Sequence, residues 1–309
     1  QYHQAATALT NLDEVMKKPV DRPAGSNWIS RARLQGGIEF KQVGFQYPND
    51  EREVLRNISF RINPGERVAI LGRNGSGKTT TVKLLLGLLF PTSGKSWLLG
   101  YPSGDLTVKR KIGFLPEESY LYKFLNAEEI LDFYAKLFDI PKKERKRRID
   151  TLIHDVGLVS YCKRPLNQYS KGMLRRIGLA QAIINDPELV ILDEPTSGLD
   201  PIGSREMKDL ILEFKRQGKT VVLSSHLLAD VQDICDRIAI LNKGVLQVIG
   251  GVKELLSQRD VIEFMVKNLS EIDIQAVKSF IEGRSGNVVS INHPSATLEE
   301  LFINIIQHR

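Results

Sequence analysis

The chain has 309 residues, 42% of them hydrophobic, and a formal net charge of +6. These values exclude wholesale disorder and allow one large domain with additions or two domains. The charge suits anionic ligands or an anionic membrane face, but it is too small to indicate nucleic acid by itself. No apolar run reaches the roughly 20 residues of a membrane span. Cys162 and Cys235 have no metal-ligand spacing, which is typical of reduced thiols in a cytosolic protein.

The first part of the chain, residues 1–36, is predicted to form a helix and a linker. Apolar side chains recur at helical spacing within residues 1–18, and a stretch with prolines follows. The pattern then changes to alternation, which predicts strands at residues 38–43 and 54–62 and a small antiparallel sheet. The chain begins at Gln1 rather than Met, as a fragment or a processed product would.

A glycine-rich segment at residues 72–80 has the form G-x-x-x-x-G-K-[ST], a phosphate-binding P-loop. An apolar, β-prone run precedes it and a helical run follows, a context that a chance glycine turn before a lysine would lack. The glycines let backbone N–H groups turn around phosphate oxygens, and the helix N-terminus adds positive charge. Lys78 can reach the outer phosphates, and the Thr79 hydroxyl can bind Mg²⁺. The expected nucleotide-binding residues of this P-loop segment are Gly72, Arg73, Asn74, Gly75, Ser76, Gly77, Lys78, Thr79 and Thr80.

The middle of the chain predicts a turn at residues 91–94, a strand at 111–115 and a helix at 127–138. Apolar side chains share one face of that helix. They are Ala127, Ile130, Leu131, Tyr134, Leu137 and Phe138. Residues 142–148 are strongly basic. A solvated helix face is the simpler interpretation, and docking to anionic lipid headgroups or an acidic partner is the alternative.

The second half of the chain predicts helices that alternate with apolar strands. The strands are expected at residues 189–192, 220–223 and 238–241, and the helices at 174–185 and 207–214. Continuous apolar strands between helices are typical of a parallel sheet that is covered on both faces. From about residue 260, alternating strands and helices predict a small appended α/β unit. Its last three elements are a helix at 274–281, a strand at 288–291 and a helix at 297–306.

Two acids end the apolar strand at residues 189–192. Asp193 can hold Mg²⁺ through water, and Glu194 can polarise the water that attacks a γ-phosphate. Because burying carboxylates is costly without partners, a functional role explains the pair better than chance. A cap for the next segment is the alternative, and it is attractive only when the P-loop is left out of account.

A third motif, Tyr-Ser-Lys-Gly-Met at residues 169–173, lies just before a predicted helix. With the P-loop and the paired acids, it makes the chain resemble the nucleotide-binding domain of ABC transporters, whose signature is usually written L-S-G-G-Q. The resemblance implies that Ser170 donates a hydroxyl hydrogen bond, and Gly172 a backbone N–H, to the γ-phosphate held by a second copy. Lys171 and Met173 depart from the family pattern. Read without the resemblance, the motif is only a helix cap.

The remaining motifs of that family follow in order. Ser-Gly-Leu-Asp at residues 197–200 resembles the D-loop, which couples the two sites of a dimer and here ends in Asp200. His226 follows a predicted strand and resembles the switch histidine that contacts the γ-phosphate, although a lone histidine is more often structural. Tyr47 resembles the aromatic platform for adenine, with simple packing as the alternative.

Glu117 stands where the family usually has a glutamine near Mg²⁺ and the attacking water. Glutamate keeps an oxygen ligand and adds negative charge, and some ABC branches resemble this Leu-Pro-Glu form. The alternative is that Glu117 caps the following helix and faces solvent. The resemblance thus implies two sets of residues. They are Thr79, Glu117 and Asp193 for the metal, and Lys78, Glu194 and His226 for catalysis.

The resemblance covers about residues 37–250 and implies the α/β fold of P-loop NTPases. A parallel core sheet, an antiparallel β-subdomain and a helical subdomain (about 117–185) are expected, with a C-terminal α/β extension at 251–309. Residues 1–90 resemble the linker and the start of the ATPase domain of fused exporters, whereas residues 94–309 resemble the separate ATPase subunit of ABC-2-type exporters. A natural recombinant, an engineered hybrid and a divergent lineage all fit this mixture.

The implied function is the binding and hydrolysis of ATP with Mg²⁺ to drive export through a transmembrane permease. The resemblance implies a head-to-tail dimer, peripheral on the cytoplasmic face of the cell membrane, with the permease docked near Tyr120 and Tyr122. A soluble ABC ATPase acting on nucleic acid or ribosomes is the alternative. Such proteins usually have a coiled-coil insertion or two ATPase domains. This chain has one P-loop and no heptad insertion, so no nucleic-acid partner is expected. A non-catalytic module is a second alternative, against which Lys78, Asp193 and Glu194 argue.

Overall fold

The computed structural model describes residues 37–48, 50–256 and 269–284, together with the single residues 266 and 288. The predictions for residues 1–36, for the strand near residue 260 and for the helix at 297–306 therefore lie outside the described residues. The strand predicted at 288–291 lies outside them too, apart from its first residue.

The described residues form ten strands and nine α-helices. The strands are β1 (Ile38–Gln46), β2 (Glu53–Ile62), β3 (Arg67–Leu71), β4 (Ser93–Leu98), β5 (Tyr101–Pro102), β6 (Ile112–Leu115), β7 (Leu189–Asp193), β8 (Thr220–Ser225), β9 (Arg237–Asn242) and β10 (Val245–Gly251). The helices are α1 (Lys78–Leu85), α2 (Leu106–Lys109), α3 (Ala127–Leu137), α4 (Lys142–Asp155), α5 (Lys171–Ile183), α6 (Pro201–Arg216), α7 (Leu228–Ile234), α8 (Val252–Leu256) and α9 (Glu271–Glu282). The helix predicted at residues 274–281 is confirmed within α9.

A six-stranded sheet with the order β10-β9-β3-β8-β7-β6 forms the centre of the fold. Strands β9, β3, β8, β7 and β6 are parallel, and β10 is antiparallel to β9. Alternate side chains enter two cores. Val68 and Ile70 of β3 pack with the four-stranded sheet and α1, whereas Ala69 and Leu71 pack with α5, α6 and α7. The predicted parallel sheet, covered on both faces, is confirmed.

The predicted antiparallel sheet is also present, as four strands in the order β2-β1-β4-β5. The turn predicted at residues 91–94 is wrong for Ser93 and Gly94, which begin β4. Gly94 has a φ of 76°, and a Cβ added there would lie 2.1 Å from the carbonyl oxygen of Gln42 in β1. Only glycine allows the two strands to come so close, so here the glycine marks a strand contact and not a turn.

The helical subdomain has a core of its own, formed between α3, α4 and α5. Ile130, Ile149 and Ile177 are among its buried members. The prediction for α3 is wrong at Leu137, whose side chain is 60% exposed, because this last helical residue lies at the edge of the apolar stripe. The basic residues 142–148 form the first half of α4. Among the described residues, no helix is long and apolar enough to cross a membrane.

Candidate nucleotide site

The predicted motifs meet at the carboxyl-terminal edge of the six-stranded sheet. Strand β3 runs into the P-loop segment, β8 into His226, β7 into Glu194, and β6 into the turn that contains Glu117. These four strands are parallel neighbours in the order β3-β8-β7-β6, so their ends lie side by side. In the register, Ser225 of β8 is level with the last residue of β3, and Ser224 with the last residue of β7.

The glycines of the P-loop segment allow a tight turn of the main chain between β3 and α1. Gly75 and Gly77 have φ values of 77° and 103°, which side chains rarely allow. A Cβ added to Gly72 would lie 2.3 Å from Ser76 Oγ and 2.5 Å from the carbonyl oxygen of Leu241. The Ser76 hydroxyl is buried and has no hydrogen-bond partner among the described residues. A buried donor without a partner fits a phosphate oxygen as its acceptor.

Lys78 is buried at the start of α1 and points back into the P-loop segment. Its Nζ donates hydrogen bonds to the carbonyl oxygens of Gly72 at 2.5 Å and Arg73 at 3.5 Å. The next residue, Thr79, is exposed. The structure therefore brings the lysine and the threonine hydroxyl to the same end of α1 that follows the glycine loop.

Tyr47 lies beside this helix. Its hydroxyl is 3.4 Å from Thr80 Oγ1, and its ring meets Phe45 edge-on with centroids 4.8 Å apart. These contacts place an aromatic ring next to the P-loop segment, and they are also what simple packing would produce. Its role as an adenine platform stays a prediction.

Asp193 is buried at the end of β7, where Ser224 of β8 satisfies it. Ser224 Oγ donates to Asp193 Oδ1 and accepts from the main-chain N–H of Glu194 at 3.1 Å. The hydrogen bond from Ser224 offsets part of the free-energy cost of burying the Asp193 carboxylate. Ser224 was not among the residues predicted for the site. The sequence feature that could have revealed Ser224 is its position as a polar residue at the end of an otherwise apolar strand.

Glu194 adopts a left-handed conformation with a φ of 47°, which costs a residue with a side chain roughly 1–2 kcal/mol. Its Oε2 lies 2.8 Å from His226 Nδ1, and the main-chain N–H of His226 donates to the same oxygen at 3.3 Å. The structure thus brings together two residues predicted to be catalytic. The alternative that the acid pair caps the next segment is wrong, because both carboxylates bind residues at the end of β8 or just after it.

Arg175 is a second site residue that was not predicted from the sequence. Its guanidinium is buried and donates to main-chain carbonyls that follow both β6 and β7. Burial lowers the pKa of Arg175 to about 10, although the charges of Asp193, Glu117 and Glu194 act to raise it. Its signal was a charged residue on the apolar side of α5, four positions before Leu179, which is fully buried.

The signature segment (residues 169–173) and the D-loop segment (residues 197–200) cap two helices. Ser170 Oγ accepts from the N–H of Met173 at 3.2 Å at the start of α5. Asp200 Oδ1 accepts from the N–H of Gly203 at 2.7 Å at the start of α6. Within the described chain, neither Ser170 nor Asp200 forms a hydrogen bond with the P-loop segment. A single copy therefore does not unite them with the phosphate-binding loop.

The two segments also contact each other. Lys171, which departs from the family signature, extends over Gly198, where an added Cβ would lie 2.0 Å from Lys171 Nζ. A Cβ added to Gly172 would lie 3.9 Å from Leu199 Cδ2. The unusual lysine is thus accommodated because Gly198 has no side chain, a relationship that the sequence did not reveal.

Glu117 is exposed in the turn after β6, and its carbonyl accepts from Arg175 Nη1 at 2.8 Å. The next helix, α3, begins only at Ala127 and is capped by Asn126. The alternative that Glu117 caps the following helix is therefore wrong. Glu117 does face solvent, as that alternative also expected. Its contact with a nucleotide stays a prediction.

The described part of the chain contains no group of three or more His, Cys, Asp or Glu side chains that could hold a metal ion. Mg²⁺ usually keeps several waters and binds one or two carboxylates together with substrate phosphates. Asp193 at the strand end and the exposed hydroxyl of Thr79 fit that mode, in which the nucleotide supplies the remaining ligands.

Comparisons with known proteins point to one family. The family model described as ABC transporter matches residues 55–197. The chain is 42% identical over 292 residues to the uncharacterized ABC transporter ATP-binding protein sll0415 of Synechocystis sp., covering 87% of this chain and 82% of that protein. It is 35% identical to the linearmycin resistance ATP-binding protein LnrL of Bacillus subtilis, covering 74% of this chain and 75% of that protein. A solved dimeric ATP-binding cassette, in a post-hydrolysis state with ADP and Pi, matches with a TM-score of 0.63 and 27% identity over 70% of this chain and 98% of that chain.

The chain belongs to the family of ABC transporter ATP-binding proteins. The predicted α/β fold of a P-loop ABC ATPase is confirmed, and the protein binds ATP and is an ATP hydrolase of the ABC type. Proteins of this family act with transmembrane components and form dimers. The alignment with the Synechocystis protein covers 87% of the chain, so it must extend into residues 1–90 as well as beyond residue 94. The two parts therefore occur together in a relative.

Proposed function

We propose that this protein hydrolyses MgATP to power export through a separate transmembrane permease, at the cytoplasmic face of the cell membrane. The observation that carries the proposal is the meeting of Lys78, Asp193, Glu194 and His226 at one edge of the sheet. The likeness to a protein named for linearmycin resistance supports export, because removing a harmful compound is one way to resist it. The ATPase domain is proposed to span residues 37–250, between an N-terminal helix and linker and a C-terminal α/β extension.

The P-loop segment would bind the phosphates of ATP. In this proposal Lys78 Nζ exchanges its carbonyl partners for oxygens of the outer phosphates, and the buried Ser76 hydroxyl gains an acceptor. Tyr47 would stack on the adenine from its position beside α1. These interactions would orient the γ-phosphate toward the ends of β7 and β8.

Thr79, Glu117 and Asp193 would hold Mg²⁺ together with oxygens of the nucleotide. When bound, the ion neutralises negative charge on the β- and γ-phosphates. The hydrogen bond from Ser224 fixes one carboxylate oxygen of Asp193, so the other oxygen would face the site. Glu117 would add a ligand from the turn after β6.

Glu194 would act as the general base. As a water oxygen bonds to the γ-phosphorus, Glu194 takes a proton from that water, and the bond between the γ-phosphorus and the bridging oxygen of ADP breaks. His226, which holds Glu194 Oε2, would contact the γ-phosphate from the end of β8. The left-handed main chain of Glu194 aims its side chain across to β8, which supports this pairing of roles.

A second copy would complete each site. Ser170 and Gly172 would reach the γ-phosphate on the partner copy, and Asp200 would couple the two sites. Within the described part of one copy, the side chains of Ser170 and Asp200 accept hydrogen bonds only from the first turn of the helix that each of them caps. The solved cassette described above is dimeric. Both observations support a head-to-tail dimer with two ATP molecules between the copies.

The permease would dock on an exposed aromatic patch, which consists of Tyr120, Tyr122, Phe124 and Phe133. Tyr120 is 85% exposed and Phe124 is 74% exposed. The ring of Tyr122 lies 5.9 Å from that of Phe124 and 5.7 Å from that of Phe133. Clustered exposed rings are typical of interaction surfaces. The patch follows Glu117 in the chain, so docking there could influence the nucleotide site.

Affinity purification of the tagged protein from detergent-solubilised membranes of its source cells tests this proposal. We expect a protein with several membrane spans to co-purify and the complex to hydrolyse ATP. The double variant Tyr120→Asp/Phe124→Asp should lose that partner. Leu256→Asp should keep it, because this exposed leucine follows β10 at the opposite end of the sheet from β6. Co-purification of ribosomes or nucleic acid instead of a membrane protein would favour the soluble alternative.

A further inference from the structure

Arg175 uses every N–H group of its guanidinium on main-chain carbonyls. Nε donates to Pro195 at 3.1 Å, Nη1 to Glu117 at 2.8 Å and also to Pro116, and Nη2 to Glu194 at 2.8 Å and also to Asp193. An arginine has five N–H donors in a rigid planar fork. All five are therefore satisfied, and the side chain is only 5% exposed.

The five carbonyls belong to two separate turns. Pro116 and Glu117 follow β6, whereas Asp193, Glu194 and Pro195 end β7 or follow it. Strands β6 and β7 are adjacent and parallel, so the guanidinium spans the gap between their ends. Its plane sets the distance and angle between the turn that carries Glu117 and the turn that carries Glu194.

The contact also concerns the strained residue of the site. Glu194 has a φ of 47°, and its main chain is held on one side by Ser224 and on the other by Arg175. Removing one of these supports would let the turn relax toward an ordinary conformation, which would swing the carboxylate away from His226. The guanidinium donates to the main-chain carbonyl of Glu194 and not to its carboxylate, so Arg175 acts through the main chain.

The charge of Arg175 strengthens these bonds. Hydrogen bonds from a charged donor are shorter and stronger than neutral ones. Although burial lowers its pKa to about 10, Arg175 remains protonated at neutral pH. The negative charges of Asp193, Glu117 and Glu194 favour its charged form.

We propose that Arg175 is a positioning residue for ATP hydrolysis: from the signature helix α5 it clamps the turns after β6 and β7 in the arrangement that aims Glu194. The inference rests on the proposed role of Glu194 as base. It adds a physical link between α5, which would reach the partner copy through its N-terminus, and the acids that would act on the chain's own nucleotide. The link is made of hydrogen bonds to main-chain carbonyls.

The test compares Arg175→Lys with Arg176→Lys in the full chain. Lysine keeps the charge, but it has three N–H donors on one nitrogen and lacks the planar fork with which Arg175 reaches five carbonyls in both turns. Arg176 is the matched control, since it lies on the same helix and its Nη1 donates to Val156 at 3.2 Å, away from both turns. For Arg175→Lys we expect kcat to fall about 10- to 100-fold while KM for MgATP changes less than about threefold. Arg176→Lys should remain near the wild type in both constants.

A double-mutant cycle with Glu194→Gln separates positioning from general damage. If Arg175 acts by aiming Glu194, Glu194→Gln should lower kcat by a smaller factor in the Arg175→Lys background than in the wild type. We expect the two factors to differ by about 10-fold. In the Arg176→Lys background it should be unchanged. Additive losses, or a kcat for Arg175→Lys equal to that of the wild type, would overturn the proposal.

Two further outcomes are decisive. If Glu194→Gln alone leaves turnover unchanged, the assignment of the base fails, whatever Arg175→Lys does. Should Arg175→Lys fail to fold, as judged by circular dichroism, Arg175→Gln replaces it, because its amide can reach one turn and the same cycle applies. If neither variant folds, Arg175 is a folding residue and the proposal is overturned.

Discussion

His226 Nδ1 lies 2.8 Å from Glu194 Oε2, and the main-chain N–H of His226 donates to the same oxygen at 3.3 Å. The histidine therefore holds one oxygen of the proposed base through both its ring and its backbone. Since the two residues are 32 positions apart, only the pairing of β7 with β8 brings them together.

The first prediction concerns Glu194→Gln, which keeps the shape of the side chain and removes the base. Turnover should fall about 100- to 10,000-fold, while ATP binding survives and an ATP-bound dimer accumulates. Steady-state hydrolysis and size-exclusion chromatography with ATP measure both effects. Glu188→Gln is the control, because Glu188 precedes β7 and pairs with Lys111 away from the site. Unchanged turnover in Glu194→Gln would contradict the assignment.

The second prediction concerns Ser170→Asp. Aspartate caps helices as well as serine does, so α5 should keep its start, but a carboxylate would repel the γ-phosphate of the partner copy. Hydrolysis should be abolished and nucleotide binding to the single chain retained. An equal mixture with Lys78→Ala should recover about a quarter of the wild-type rate, since half of the dimers are mixed and each has one complete site.

The control for this mixing experiment is Ser270→Asp, at the capping residue of α9. That variant should hydrolyse ATP like the wild type. Recovery in the mixture requires sites shared between copies. Full activity from a proven monomer at high dilution would argue against the dimeric site.

The third prediction concerns Glu117→Gln. The Glu117 carboxylate would be attracted by Mg²⁺ and repelled by the γ-phosphate, and each effect is worth on the order of 1–4 kcal/mol in a partly wet site. The variant should bind metal-free ATP more tightly and depend less on Mg²⁺ for hydrolysis. Titrations of ATP affinity against Mg²⁺ measure this. Glu118→Gln, at the exposed neighbour, should match the wild type. Superimposable curves for Glu117→Gln would mean that this residue does not sense the nucleotide.

The fourth prediction concerns Asp236, which joins the starts of β3 and β9. Burial acts to raise its pKa, but hydrogen bonds from Arg67 and Lys215 lower that pKa to about 2. Because the folded-state pKa lies below the ordinary value, the bonds stabilise the fold above about pH 4, and this stability is lost as the pH falls toward 2. Allowing for partial exposure, the contribution at pH 7 is about 1–2 kcal/mol.

Asp236→Asn should therefore lower the free energy of unfolding at pH 7 by about that amount, and the difference should shrink between pH 5 and pH 2. Urea unfolding at several pH values measures it. Asp209→Asn removes an exposed partner of Arg205 and should change stability by less than about 1 kcal/mol. A deficit that stays constant down to pH 2 would show that charge is not the cause.

The sequence by itself determined the elements and the motifs. The P-loop segment, the acids after β7 and the periodic apolar runs of β3, β7 and β8 are contiguous stretches, so their meaning can be read locally. The prediction failed where local pattern and long-range contact disagree. Residues 93 and 94 have turn composition but begin β4, because pairing with β1 outweighs the local preference. Leu137 continues the apolar stripe of α3, but its side chain is exposed because the packing contacts end before it.

Only the tertiary structure decided which side chains share the site. Ser224 meets Asp193, and His226 meets Glu194, because β8 lies between β3 and β7 in a strand order that no local pattern encodes. Arg175 reaches the carbonyl of Pro116, which lies 59 positions away. A hydrogen bond depends on the distance between atoms and not on their separation along the chain. The residues that orient the acids therefore became visible only after the strands were placed side by side.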